Sequence, residues 1–144
     1  IVFEPMMKAK SITLFTYIEP LIINADADLF KSVIYNFVDN AVKASFEGGK
    51  IELTCRSEGE YAVITVRDYG MGIAEEDKKR IFEPFYMADK VRSRKLGGAG
   101  LGLALCAEIA KKHNAKIELE SELGKGTIIS ICIKQSEGKI NEQI

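Results

Sequence analysis

Three polar side chains repeat at helical spacing in the first third of the sequence: Asn36, Asn40 and Lys43. An α-helix turns about 100° per residue, so these spacings place all three within a roughly 60° arc of one helix face. An amide oxygen is a suitable ligand for Mg²⁺, and a lysine ammonium is a point charge that attracts phosphate. The pattern indicates a site for a metal-bound phosphate ligand, with three ordinary surface residues as the alternative.

A short acidic and glycine-containing motif, Asp68-Tyr-Gly70-Met-Gly72, follows a stretch that alternates as a β-strand. The Asp68 carboxylate can accept a hydrogen bond from an exocyclic amine, and the two glycines let the backbone approach a flat ring closely. The alternative is a tight Asp-x-Gly turn, which is a common feature of loops.

The strongest glycine signal is the run Gly97-Gly-Ala-Gly-Leu-Gly102, which has four glycines in six residues and opens an amphipathic helix. Free N–H groups at the start of a helix bind phosphate well. Leu103-Ala104 follows where a Walker A loop needs Lys and Ser/Thr, and the strand that precedes a Rossmann fingerprint is missing. The run therefore predicts phosphate binding by a different fold.

A basic segment lies just before these glycines. Lys90, Arg92, Arg94 and Lys95 stand against Asp89, so four positive charges and one negative charge sum to +3. Such a segment could close over a phosphate chain, because Arg and Lys neutralise phosphate oxygens. The alternative is a solvated charged loop.

Hydrophobic periodicity predicts the elements that position these residues. Strands are expected at 11–18, 51–55, 62–66, 116–121 and 127–133, and helices from Asp26 or Asp28 to Ser45, at 75–81, and from 102 to Asn114. Strands and helices do not alternate strictly, which favours an α+β two-layer sandwich over a doubly wound parallel sheet.

Composition limits the classes of protein that fit. A chain of 144 residues with 47% hydrophobic residues can bury a core without a disulfide or metal. The formal charge of −1 gives no global attraction to nucleic acid, so we expect no nucleic-acid partner. No apolar run approaches the roughly 20 residues of a membrane helix. Cys55, Cys106 and Cys132 are widely spaced and form no C-x-x-C motif, which fits a reducing cytosol, so we expect a cytoplasmic domain. The chain begins at Ile1, and we expect it to be part of a longer protein.

Taken in order, the motifs resemble the catalytic, ATP-binding domain of a bacterial sensor histidine kinase over roughly residues 12–134. The similar motifs are Asn36-Phe-Val-Asp-Asn40-Ala-Val-Lys43 (the N box), Asp68-x-Gly70-x-Gly72 (the first glycine box), Phe82-Glu-Pro-Phe85 (the F box), Gly98-x-Gly100-x-Gly102 (the second glycine box) and Gly124-Lys-Gly126-Thr127 (the third glycine box). Five motifs in the family's order are far more specific than any one of them.

The resemblance implies the Bergerat fold, which the family shares with gyrase, heat-shock chaperone and mismatch-repair ATPases. This fold is a two-layer sandwich with a mixed sheet of about five strands and helices on one face. The implied organisation is a leading segment from an upstream domain at 1–11, the ATP-binding catalytic domain at 12–134, and a polar C-terminal tail at 135–144.

The resemblance also implies roles for individual residues around ATP. Asp68 would hold the adenine amino group in a pocket shaped by Gly70 and Gly72. Asn40 would coordinate Mg²⁺ with Asn36 beside it, and Lys43 would contact phosphate. The remaining implied contacts are Thr127 through water, the γ-phosphate neighbours Arg92, Arg94 and Lys95, and the nucleotide-binding Phe82, Phe85, Gly98, Gly100, Leu101 and Gly102.

The residue at position 36 separates two reaction types. In the gyrase, heat-shock and mismatch-repair relatives, the matching position is a glutamate that activates water. An amide cannot accept that proton, so the resemblance implies phosphoryl transfer to an acceptor instead of efficient hydrolysis. The acceptor would be a histidine in a dimerisation domain absent from this chain, so the chain alone is expected to bind ATP without phosphorylating itself.

The implied partners are that dimerisation and phosphoacceptor domain and a cognate response regulator. The parent protein would be a homodimer, and a membrane anchor is compatible with it. Two alternatives are an anti-sigma-type serine kinase and a nucleotide-binding interaction module without phosphotransfer.

Overall fold

The computed structural model describes residues 4–86 and 102–136. The described elements are α1 (Glu4–Ala9), β1 (Thr13–Ile18), α2 (Ala27–Ala44), β2 (Lys50–Glu58), β3 (Tyr61–Asp68), α3 (Glu75–Lys78), α4 (Gly102–Lys112), β4 (Lys116–Glu122) and β5 (Gly126–Lys134). The predictions for Arg92, Arg94, Lys95, Gly98, Gly100 and Leu101 lie outside the described residues.

The five strands form one sheet in the order β1-β2-β3-β5-β4. Strand β1 runs parallel to β2, and the other neighbouring pairs are antiparallel. Helices α2 and α4 pack together on one face of this sheet, where their apolar side chains meet those of the strands. The expected α+β sandwich with a mixed five-stranded sheet is confirmed.

Helix α2 carries the largest share of the helical core. Asp26 caps its N-terminus, because the Asp26 side chain accepts a hydrogen bond from the Leu29 N–H at 3.1 Å. Its buried residues are Phe30, Val33, Phe37, Val38, Ala41 and Val42. They occupy about half of the helix circumference, so the arc that carries Asn36, Asn40 and Lys43 remains at the edge of the core.

His113, at the end of α4, connects α4 to the start of α2. Its Nε2 accepts a hydrogen bond from the Asp26 N–H at 3.0 Å, while Nδ1 lies 2.8 Å from the Ile109 carbonyl oxygen. These contacts correspond to the tautomer in which Nδ1 carries the proton and Nε2 is the acceptor. Asn114 follows in the left-handed conformation, with a φ of 54°, as expected for the residue that ends a helix.

The structure shows local contacts at both ends of the domain. The segment 1–11 contains helix α1, whose Met6 and Met7 pack against the core. At the other end, the Gln135 N–H donates to the Glu60 carbonyl at 2.7 Å and the Ser136 N–H donates to the Ile22 carbonyl at 2.8 Å. Residues 135 and 136 are thus hydrogen-bonded to the folded domain. Their polar side chains do not reveal this in the sequence, because the contacts are made by backbone groups.

Helix α3 is shorter than the predicted 75–81, since it ends at Lys78 and is followed by turns. None of the helices in the described ranges is long and apolar enough to cross a membrane.

Candidate nucleotide-binding site

Three polar residues lie side by side at one end of the sheet, on the face that the helices cover. Asp68 of β3 pairs with Thr127 of β5, and Thr127 pairs with Ser121 of β4. The same face carries the buried Val66, Ile129 and Ile131 farther along the strands. The apolar inner face therefore ends in a polar row beneath the C-terminal end of α2.

Asp68 is the most unusual residue in this row, because it is an acidic residue that is only 5% exposed. The carboxylate accepts a hydrogen bond from the Gly70 N–H at 2.9 Å and another from the Thr127 backbone. Burial raises the pKa of Asp68 to about 6, and the two backbone hydrogen bonds offset part of that rise. An ionised carboxylate offers about four acceptor positions, so Asp68 can accept a further hydrogen bond from an amine group of a ligand.

The two glycines of the first glycine box allow backbone to contact backbone. A Cβ atom on Gly70 would lie 2.0 Å from the carbonyl oxygen of Ala44, and the adjacent Met71 N–H donates to that oxygen at 3.0 Å. Gly72 has a φ of +72°, and a Cβ atom there would lie 2.1 Å from the carbonyl oxygen of Glu122. The segment after Asp68 is therefore held between the end of α2 and the β4–β5 hairpin.

Ser121 joins this segment to the hairpin and was not among the residues predicted from the sequence. Its Oγ accepts a hydrogen bond from the Ile73 N–H at 2.8 Å and donates to the Gly126 carbonyl at 2.9 Å. Oγ1 of Thr127 lies 2.8 Å from the same Oγ and supplies the remaining proton. The available signal was a hydroxyl at the inward position that continues the alternation Ile117, Leu119 along β4.

Asn36 of α2 and Gly102 of α4 are brought together, as the motifs suggest. Nδ2 of Asn36 donates to the Ser32 carbonyl at 2.8 Å, which leaves Oδ1 as the acceptor end of the amide. A Cβ atom on Gly102 would lie 2.6 Å from this Oδ1. A larger residue at the start of α4 would therefore displace the amide of Asn36 from this position.

The other two residues of the predicted arc differ in their surroundings. Asn40 is exposed, whereas Lys43 is partly exposed and forms an ion pair with Asp39 at 2.9 Å. Both side chains of this pair retain access to solvent, so an approaching phosphate could replace Asp39 as the partner of Lys43.

The two phenylalanines of the F box serve different purposes. Phe82 is partly buried and packs against the core, while Phe85 is 70% exposed and has a φ of 66°. A bulky residue with positive φ is strained, which indicates that the chain is turned sharply at Phe85. The structure thus presents one anchoring and one exposed aromatic ring.

The donor set fits a magnesium ion bound mainly by its ligand. Within residues 4–86 and 102–136, no three His, Cys, Asp or Glu side chains are grouped so as to hold a metal. Mg²⁺ is commonly held by one or two protein oxygens together with phosphate and water. An exposed amide oxygen on Asn40 is compatible with that mode of binding.

Comparison with known proteins agrees with this geometry. Residues 25–137 match the family model described as histidine kinase-, DNA gyrase B-, and HSP90-like ATPase. The sensor histidine kinase WalK of Bacillus subtilis is 40% identical over 119 residues, which cover 81% of this chain and 20% of WalK. The chain therefore spans about a fifth of that relative.

Solved structures show the same fold. The nucleotide-free catalytic domain of histidine kinase ThkA has a TM-score of 0.79 and 28% identity, with 93% of this chain and 86% of that chain covered. ThkA in complex with the response regulator protein TrrA has a TM-score of 0.71 and 27% identity, with 94% and 37% covered. The chain belongs to the family of histidine kinase-, DNA gyrase B- and HSP90-like ATPases.

Proposed function

We propose that this chain is the catalytic domain of a two-component sensor histidine kinase, which binds Mg·ATP and transfers its γ-phosphoryl group to a histidine of a separate dimerisation domain. A response regulator then receives the phosphoryl group. The similarity to WalK and ThkA supports this class of parent protein. The complex of ThkA with TrrA supports a response regulator as the partner.

The observation that carries the proposal is the amide at Asn36. Its Nδ2 donates to the Ser32 carbonyl, and its Oδ1 faces Gly102 at the start of α4. A neutral amide in this place can orient a phosphate or a water molecule but cannot remove a proton. The site is therefore better suited to transfer onto an incoming nucleophile than to hydrolysis.

The transfer step requires little covalent chemistry from this chain. An imidazole nitrogen of the acceptor forms a bond to the γ-phosphorus, while the bond between that phosphorus and the β–γ bridging oxygen breaks. ADP leaves with the electron pair, and the imidazole loses its N–H proton to solvent. Catalysis then consists of positioning and charge neutralisation.

The residues divide these tasks between the two ends of the nucleotide. Asp68 accepts a hydrogen bond from the adenine amino group, and Thr127 supports it through water. Lys43 contacts phosphate after exchanging its partner Asp39. Asn40 would hold Mg²⁺, which would neutralise phosphate charge when bound. The resemblance to the family implies that Arg92, Arg94 and Lys95 are neighbours of the γ-phosphate.

The experiment that tests this function uses the parent protein, incubated with Mg·ATP labelled at the γ-phosphate. We expect a phosphoprotein that is labile in acid and stable in base, as phosphohistidine is. An acid-stable product would instead indicate a serine kinase, and release of labelled phosphate without any phosphoprotein would indicate a hydrolase.

Replacement of Asn40 separates metal binding from nucleotide binding. In Asn40→Ala we expect the increase in ATP affinity caused by Mg²⁺ to fall from about tenfold to less than about twofold, since a neutral oxygen ligand is lost. The metal-free affinity should stay within about twofold of the wild-type value. Isothermal titration calorimetry of the 144-residue chain, with and without Mg²⁺, measures both quantities.

Asn24→Ala is the matched control for this variant, because Asn24 is also exposed but precedes α2. It should retain the full effect of Mg²⁺. A full effect in Asn40→Ala as well would remove Asn40 from the metal site.

A further inference from the structure

Lys10 has an arrangement of contacts that neither the motifs nor the proposed roles use. It directly follows helix α1 and is separated from β1 by two residues, and its side chain extends to the C-terminal end of α2. Nζ donates to the carbonyl oxygens of Val42 at 3.0 Å, Lys43 at 3.1 Å and Ser45 at 3.0 Å. An ammonium has three N–H groups, so each of them has an acceptor here.

These contacts complete the hydrogen bonding at the end of α2. The last carbonyl groups of a helix have no partner within the helix and carry partial negative charge. The Ala41 carbonyl accepts from both the N–H and the Oγ of Ser45. Lys10 satisfies the next carbonyl groups, and the Met71 N–H satisfies that of Ala44. One cation from outside the helix thus fixes the turn that ends it.

The same turn supports the adenine end of the proposed site. Gly70 lies so close to Ala44 that a Cβ atom on it would be 2.0 Å from the Ala44 carbonyl oxygen. The Gly70 N–H in turn donates to Oδ1 of Asp68 at 2.9 Å. A continuous series of hydrogen bonds and backbone contacts therefore connects the ammonium of Lys10 to the buried carboxylate of Asp68.

Lys10 is also fixed to the loop that follows α2. Its carbonyl oxygen accepts from the Gly48 N–H at 2.7 Å, and the Thr13 N–H donates to the Gly49 carbonyl at 3.0 Å. The ammonium is therefore held against the end of α2 through its own backbone. A shift of the segment before β1 would move the ammonium and the turn together.

We propose that Lys10 is a positioning residue for the nucleotide site, which holds the end of α2 so that Gly70 and Asp68 keep the geometry that binds adenine. This inference rests on the proposed function, because it concerns the affinity for a nucleotide.

The test compares Lys10→Met, Lys10→Arg and the control Lys8→Met, which removes the same charge from an exposed position of α1. Calorimetry at a temperature where each variant is fully folded gives the affinity for ADP. We expect Lys10→Met to bind ADP about tenfold more weakly, Lys10→Arg to recover at least about a third of the wild-type affinity, and Lys8→Met to be unchanged.

Hydrogen exchange of backbone amides supplies a second readout. The Met71 amide, which donates to Ala44, should exchange at least about tenfold faster in Lys10→Met than in Lys8→Met. If folded Lys10→Met binds ADP as the wild type does, Lys10 only stabilises the fold and the inference is wrong. If the wild-type chain does not bind ADP, the proposed function fails, and unchanged Met71 exchange would separately overturn the role of Lys10.

Discussion

Asp68→Asn is expected to reduce ATP affinity at least about 100-fold while making the folded domain more stable at neutral pH. In the wild type, the ionised carboxylate accepts a charge-assisted hydrogen bond from the adenine amino group. The amide of asparagine presents either a weaker acceptor or an N–H donor to that group, so affinity is lost. Calorimetry with ATP and urea unfolding of the 144-residue chain measure the two effects.

The gain in stability follows from the pKa of the buried carboxyl group. Burial raises the pKa of Asp68 from the ordinary value of 3.8 to about 6. The folded state therefore binds the proton more tightly than the unfolded state, and the resulting stability is present in full below pH 3.8 and is lost as the pH rises through 6. A pKa shift of this size corresponds to roughly 3 kcal/mol of folding stability that the wild type loses when Asp68 ionises. Asparagine does not ionise, so the variant keeps this stability.

We therefore expect Asp68→Asn to exceed the wild type in free energy of unfolding by about 1–3 kcal/mol at pH 7.5, with a smaller difference at pH 4. Because the ligand needs the ionised carboxylate, wild-type affinity for ATP should also fall below about pH 6.

Asp28→Asn is the control for these measurements, because Asp28 is an exposed aspartate in the first turn of α2. Asp28→Asn should have the ATP affinity of the wild type, and its free energy of unfolding should depend on pH as that of the wild type does. Retention of ATP affinity within about tenfold in Asp68→Asn would show that Asp68 does not hold the adenine amino group.

Much of the fold was predictable from local patterns. The apolar positions of α2 repeat with helical spacing, and the alternation in β2, β3 and β5 marks strands with one buried face. Asp68 was identifiable because it ends such an alternation with an acidic residue. The order of the strands in the sheet was not predictable from local patterns, because β5 inserts between β3 and β4 through contacts that are distant in sequence.

The contacts that hold the site in place were not visible in the same way. Ser121 and Lys10 act through atoms that are 48 and up to 35 residues away in the sequence, at Ile73 and Ser45. In each contact the partner is a backbone group, so the type of the partner residue gives no indication of the contact in the sequence. Helix α1 escaped prediction for a related reason, because six residues are too few to show a period.

Gly70→Ala is expected to damage both stability and binding, although alanine is a small residue. A Cβ atom there would lie 2.0 Å from the carbonyl oxygen and 2.5 Å from the carbonyl carbon of Ala44, both of which are backbone atoms. To relieve this overlap, the segment must move away from α2 and lose the hydrogen bond from Met71 to Ala44. We expect a loss of about 3 kcal/mol or more in the free energy of unfolding and at least about 100-fold weaker ATP binding.

Gly59→Ala separates this steric effect from the conformational preference of glycine. Gly59, in the turn between β2 and β3, has a φ of +61°, but nothing lies within 4 Å of a Cβ atom placed on it. Its replacement should cost about 1 kcal/mol through backbone strain and leave ATP affinity unchanged. Urea unfolding and calorimetry of the two variants, measured side by side, distinguish the two effects. If Gly70→Ala were no less stable than Gly59→Ala and bound ATP equally well, the contact between the first glycine box and the end of α2 could not be what shapes the adenine pocket.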